Sequence, residues 1–378
     1  MSRTGLTVSV DGRALDLEHL RSQGIGRYAS SLLGPLGEVA EERGGRLVVL
    51  RQRGGTGSPF AAADGRGAGK RFLRRPPVPA RAVELVEQGL LPVDLWRLRP
   101  AVHHSLSLYR TPLLSRPPVV VTMHDVAPLQ WPSLYLRTGL VHRTLYRAVR
   151  RAAAIVCDSG AGRDDLLRHL EVDPERVVVV PAAADDRFRP TDTQPPVQRP
   201  YVLYVGGLVH RDPRKDIEGL IDAFADWSRA EVRAETLVLA GEVGPAGEEL
   251  ERRARQAGAQ VRLTGFVPDD ELPALYSGAS CLVTASRYEG FGLPALEAIA
   301  CGTPVVAYAA GAIPETAGPG ALLAPVGDGA ELMRAVGRVC DEPALAERLS
   351  VEGRRHAAGF SWRRTAELTW DVYAKVAA

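Results

Sequence analysis

Short apolar runs rich in β-branched residues recur along this chain at intervals that leave room for one helix between neighbours. In the first half they are Leu6–Val10, Leu47–Leu50, Val119–Thr122, Ala154–Cys157 and Val177–Val180. In the second they are Tyr201–Val205, Thr236–Ala240, Val261–Thr264, Cys281–Ala285, Pro304–Ala307 and Ala321–Ala324. The runs are continuous rather than alternating, which is what strands covered on both faces require, as in parallel sheets. Helical patterns such as Ile217–Arg229, Gly247–Ala257, Leu272–Ala279 and Leu293–Ala300 fall between them. Strand and helix alternating throughout predict a doubly wound α/β architecture.

A length of 378 residues suits two domains of ordinary size. The pattern breaks at Arg189–Pro200, RPTDTQPPVQRP, where prolines and polar residues cannot continue a strand or helix. Domains are therefore expected at 1–190 and 201–360 with a linker over 191–200. Residues 361–378 are read as a C-terminal helix packing back toward the N-terminal domain. Residues 51–80 read as an irregular, mobile loop of the first domain. Two Rossmann-like domains would then face each other across a cleft, since open sheets bind ligands beyond the carboxyl ends of their strands.

Composition narrows the classes further. A hydrophobic fraction of 45% and 24% charged residues are those of a globular protein rather than a disordered one. The N-terminus lacks the uninterrupted apolar core of a secretory signal, and no segment approaches the roughly 20 apolar residues of a membrane helix. The four cysteines are scattered, with no pair spaced for zinc or redox chemistry, so a reduced cytoplasmic enzyme is expected. Residues 1–199 carry 29 basic against 20 acidic side chains, and the remainder 18 against 25. Neither half interleaves its basic residues with aromatics as nucleic-acid binders do. Segment 136–151 is a basic helix with Arg143, Arg147, Arg150 and Arg151 on one face. It reads first as a solvated face; weak peripheral contact with an anionic inner-membrane surface is the alternative.

Chemistry concentrates in 281–302. CLVTAS is a strand, RYEGFG a turn with two glycines, and LPALEAIA a helix with Pro294 in its first turn. Glycines allow close backbone approach, and a new helix offers free amides and a positive dipole end, together an anion site suited to a diphosphate. Glu289 lies in the turn and Glu297 about one helical turn in. Carboxylates beside phosphate would repel it, so they read as acceptors for sugar and ribose hydroxyls. An ordinary strand–turn–helix with two surface glutamates is the competing reading. In the first domain, Gly24, Ile25 and Gly26 read as a tight glycine turn before a helix starting near Arg27, too short for a dinucleotide fingerprint. His124 and Asp125 end the strand VVVTM.

EGFGLPALEAIACGTPVVA resembles the signature of the retaining glycosyltransferases of family 4, which have the two-domain GT-B fold. QGIGRYASSLL, VVVTMHDVAPLQWP, YVGGLVHRDPRKDIEGLIDAF and VRLTGFVPDDELPALYSGA resemble further landmarks of that family, in the expected order. The resemblance implies that Lys215 and an arginine, Arg214 or Arg211, neutralise the donor's diphosphate, because Gly207 stands where many members carry that arginine. It assigns Glu289 to hydroxyls of the transferred sugar and Glu297 to the ribose. It gives the amides of Gly290, Phe291, Gly292 and Leu293 to sugar and phosphate oxygens. Phe266 and Val267 would flank the base, Gly24 and Gly26 would approach the donor phosphate, and His124 would lie beside the donor sugar.

The expected activity is metal-independent, retaining transfer of a hexosyl unit from a nucleotide-diphosphate sugar to a hydroxyl of a polysaccharide, glycolipid or secondary metabolite, with mannosyl- and rhamnosyltransferases the nearer comparison. No cofactor is expected. The rivals are a nucleotide-sugar epimerase or a phosphorylase of similar architecture, and a catalytically inactive module that binds nucleotide sugars.

Overall fold

The computed structural model describes residues 5–16, 24–52, 68–73, 83–135 and 139–378. The chain divides into two compact units, Met1–Ala182 with Ser361–Ala378 and Ala183–Phe360. The segment Arg189–Pro200 lies in the second unit, where the Thr191 amide donates to Ser277 Oγ (3.3 Å) and Val197 is buried.

The first unit is built on β1 (Thr7–Asp11), β2 (Arg46–Gln52), β3 (Ala68–Leu73), β4 (Val102–Ser105), β5 (Val119–Met123), β6 (Ala154–Cys157) and β7 (Val177–Val179). They form a seven-stranded sheet in the order β3-β2-β1-β4-β5-β6-β7. The second unit carries β8 (Tyr201–Val205), β9 (Thr236–Ala240), β10 (Val261–Gly265), β11 (Cys281–Thr284), β12 (Val305–Tyr308) and β13 (Ala321–Ala324). These pair in the order β10-β9-β8-β11-β12-β13. The pairings are parallel, with registers such as Val8↔Val102 and Val202↔Leu237. In each sheet the chain winds outward, then returns to the other side of its first strand. The two switch points, β1/β4 and β8/β11, are where an open sheet leaves a crevice beyond its strand ends.

Two strands stand where the sequence predicts none. Ala68–Leu73 falls within the stretch read as an irregular loop, yet pairs with β2 from Leu47↔Ala68 to Gln52↔Leu73. An edge strand needs apolar cover on less of its surface, so its Lys70 and Arg71 hid it. The rest of that stretch, 53–67 and 74–80, lies outside the described residues. The second, β4, is fully buried although its centre is His103–His104. His103 Nδ1 pairs with Ser9 Oγ at 2.9 Å, while His104 contacts the Tyr373 hydroxyl through Nδ1 (2.6 Å) and Thr122 Oγ1 through Nε2 (2.8 Å). Hydrogen-bonded polar groups are tolerated inside.

The glycines read as a turn form the first turn of a helix instead, because Gly24–Glu42 is helical from its first residue. That helix packs against the C-terminal helix, Trp362–Ala377. Arg363 bridges to Glu42 at 2.7 Å, Arg43 pairs with Asp371, and Thr365 Oγ1 donates to the Pro181 carbonyl at 2.6 Å. In the helix Gly139–Arg151 the four arginines are exposed while Leu145, Tyr146, Ala148 and Val149 are buried; residues 136–138 lie outside the described set. Among the described residues no helix is long and apolar enough to cross a membrane.

Candidate functional site

At the β8/β11 switch point, two loops leave the carboxyl ends of neighbouring strands. Gly206 and Gly207 follow β8, and the turn 285–292 follows β11. Between them lies a small recess lined by Tyr204, Gly207, Lys215, Thr284, Glu289 and Gly292, among others. Lys215 and Glu289 are 74 residues apart in sequence, and their side chains meet here with Nζ and Oε1 2.6 Å apart. Both stay partly open to solvent, so a charged pair is presented to whatever enters.

The turn is held by two glycines. Gly292 has φ +91°, a left-handed conformation that costs glycine nothing, and it caps the helix Leu293–Ala300. Gly311, at φ +55°, passes so close that a Cβ there would lie 2.2 Å from the Glu289 carbonyl oxygen. The Ala312 amide then donates to that same oxygen at 2.9 Å. Together they fix the backbone that aims Glu289. The helix start brings Leu293 and the half-buried Gly290 to the same place, while Phe291 is buried against Phe360.

The three basic side chains of 211–215 do not share one fate. Lys215 enters the recess. Arg214 is held by Asp212, Nη2 to Oδ2 at 2.8 Å and Nε to both carboxylate oxygens at 3.2 Å. Arg211 faces a separate hollow, where it pairs with Glu218 at 2.6 Å. Glu297 is not a surface glutamate: it is 2% exposed, and the Tyr276 hydroxyl donates to its Oε2 at 2.9 Å. Val267 is buried just beyond β10, whereas Phe266 is 60% exposed.

Within the first unit, His124 follows β5. Its Nδ1 lies 2.6 Å from Asp158 Oδ2 and its Nε2 2.9 Å from the Leu106 carbonyl oxygen. A carboxylate and a carbonyl only accept, so this pairing favours the protonated ring. Burial is the largest single influence and disfavours that charge, but the Asp158 carboxylate, the Leu106 carbonyl and Asp125 together outweigh it and raise the pKa above the ordinary 6.5. Tyr28 packs edge-on against the ring at 4.8 Å. Gly26, in the same helix as Tyr28, is buried, and Gly24 is exposed.

Sequence reading missed Asp158 and Tyr276. The first carried a usable signal. Parallel pairing sets Met123 opposite Cys157, so the residues one step beyond, His124 and Asp158, leave adjacent strands side by side. Tyr276 gave none, because only the folded chain brings its helix, Leu272–Gly278, against Glu297.

Residues 24–188 match the family described as Glycosyltransferase Family 4, and residues 185–356 match Glycosyl transferases group 1. The O-antigen chain mannosyltransferase B of Escherichia coli is 28% identical over 317 residues, covering 80% of this chain and 81% of that protein. The MMP alpha-(1->4)-mannosyltransferase of Mycolicibacterium hassiacum is 34% identical over 280 residues, 69% of this chain and 66% of that protein. Sucrose-phosphate synthase from Thermosynechococcus elongatus superimposes with a TM-score of 0.76 at 21% identity, over 98% of each chain. HepE of Anabaena, solved with UDP-glucose, superimposes with a TM-score of 0.75 at 16% identity, over 98% of this chain and 100% of that one. At such identities the two structures speak for the fold.

Proposed function

The chain belongs to the group 1, family 4 glycosyltransferases of GT-B fold, and from that premise we propose that it moves a hexosyl unit from a nucleotide-diphosphate sugar to a hydroxyl acceptor, with retention and without a metal. The observation that carries this reading is the Lys215–Glu289 pair over the recess at the start of the helix Leu293–Ala300. A cation beside free helical amides suits a diphosphate, and a carboxylate next to it suits sugar hydroxyls. Two relatives are named as mannosyltransferases, which favours mannosyl as the transferred unit.

In this reading the bond from C1 of the sugar to the diphosphate oxygen breaks, and negative charge grows on the departing phosphate. Lys215 and Arg214 stabilise that charge, the work a metal does elsewhere. The acceptor oxygen bonds to C1 on the face the phosphate leaves, and its proton passes to a departing phosphate oxygen. Glu289 orients the sugar through its hydroxyls. Glu297 takes the ribose, Phe266 and Val267 flank the base, and Gly24 and Gly26 approach the donor; for these and for His124 the resemblance supplies the role, while Arg211, paired with Glu218 at the separate hollow, leaves the diphosphate to Arg214. Glu289→Ala is expected to abolish transfer while nucleotide binding stays measurable, and Glu297→Gln to weaken nucleotide binding first. The reverse pattern would sink the assignment.

A further inference from the structure

Lys215 and Arg214 are neighbours in sequence, yet only Lys215 enters the recess. Arg214 gives its guanidinium to Asp212, and its own amide donates to Asp212 Oδ1 at 3.0 Å. A carboxylate and a phosphate present the same paired oxygens to an arginine fork, so one can stand in for the other. We propose that Asp212 occupies, within the unliganded protein, the guanidinium that the donor's diphosphate would take, and that donor binding displaces it. The inference rests on the donor-site reading above and adds a residue that sets donor affinity.

The local backbone suits such an exchange. The Arg287 amide donates to the Arg214 carbonyl at 2.7 Å, and the Lys215 amide donates to the Asp212 carbonyl at 2.9 Å. The main chain is pinned on both sides, so the exchange proposed here is one of side chains, with Arg214 changing rotamer. The Arg214 side chain is 15% exposed and that of Asp212 26%, so the pair is neither locked in the core nor free in solvent. Arg211 is a poorer candidate, since its side chain is 73% exposed and its partner Glu218 faces the other hollow.

The test is calorimetric titration of the full chain with inorganic pyrophosphate, UDP and GDP, comparing wild type, Asp212→Asn, Arg214→Ala and the double variant. Asparagine keeps an oxygen for the Arg214 amide and removes the charge. Asp212→Asn is expected to bind about two- to fivefold more tightly, the range that releasing a partly exposed ion pair permits. Asp212→Glu should return the wild-type affinity, and the gain should vanish in the double variant, because it needs Arg214. Equal or weaker binding by Asp212→Asn would overturn the proposal, and so would a gain that survives Arg214→Ala, which marks general charge removal. Binding by neither wild type nor variant would instead remove the donor-site reading itself.

Discussion

His124 shows how a single residue's charge follows from its partners. Paired with Asp158 and with the Leu106 carbonyl, the ring keeps its proton beyond the ordinary 6.5. Proton NMR of its ring is expected to show titration above that value, and Asp158→Asn is expected to bring it below; a wild-type ring titrating at or below 6.5 would refute the assignment. The sign for stability follows. A histidine with a raised folded pKa stabilises below its unfolded value, and that contribution fades as pH rises through the folded one. Val232 makes a separate point about backbone. It ends the helix Ile217–Glu231 at φ +53° and is 90% exposed, a left-handed position that a β-branched residue fills at a cost of roughly 1–2 kcal/mol. Val232→Gly is expected to raise stability by about 1 kcal/mol in urea unfolding, with activity unchanged.

At the scale of elements, the strand–turn–helix 281–302 was legible because each of its parts has a local cause: a continuous apolar run, glycines, and proline in a first helical turn. What aims Glu289 was not legible, since Gly311 lies across the β12 crossover and nothing in the motif announces it. Gly311→Ala must shift backbone that sits 2.2 Å from the new atom and must hold alanine at φ +55°. We expect a loss of about 1–3 kcal/mol in stability, read by thermal unfolding, and a fall in kcat larger than any change in donor KM. The histidine-centred strand β4 escaped sequence reading for a related reason. Ser9, Thr122 and Tyr373, which make its polar residues tolerable inside, are far away in sequence. The edge strand β3 escaped it through its charged residues, and the glycines 24–26 suggested a turn because nothing local shows that a helix already begins there.

The whole molecule is two doubly wound units, and the alternating pattern of apolar runs and helices was enough to predict both. The path of the C-terminal helix is different, because its grip on the first unit rests on contacts such as His104 with Tyr373. Burial pushes the pKa of His103 down to about 4 and that of His104 down to about 3. Folded histidines held neutral contribute stability that is present above 6.5 and is lost as pH falls toward those values. The first unit, which holds both, is therefore expected to unfold at progressively lower temperature between pH 6.5 and 4, with the tryptophan signal of the C-terminal helix moving with it. A first-unit transition that stays put over this range would contradict the buried neutral pair. The central claim, that the recess of the second unit receives a nucleotide-diphosphate sugar, is tested most directly by melting temperature against a panel of nucleoside diphosphates and their sugars. A ligand at 100-fold its Kd should add about 2.7 kcal/mol. At least one member is expected to raise the wild-type Tm, and Lys215→Ala to diminish that rise; no shift with any member, or a shift indifferent to Lys215, would contradict it.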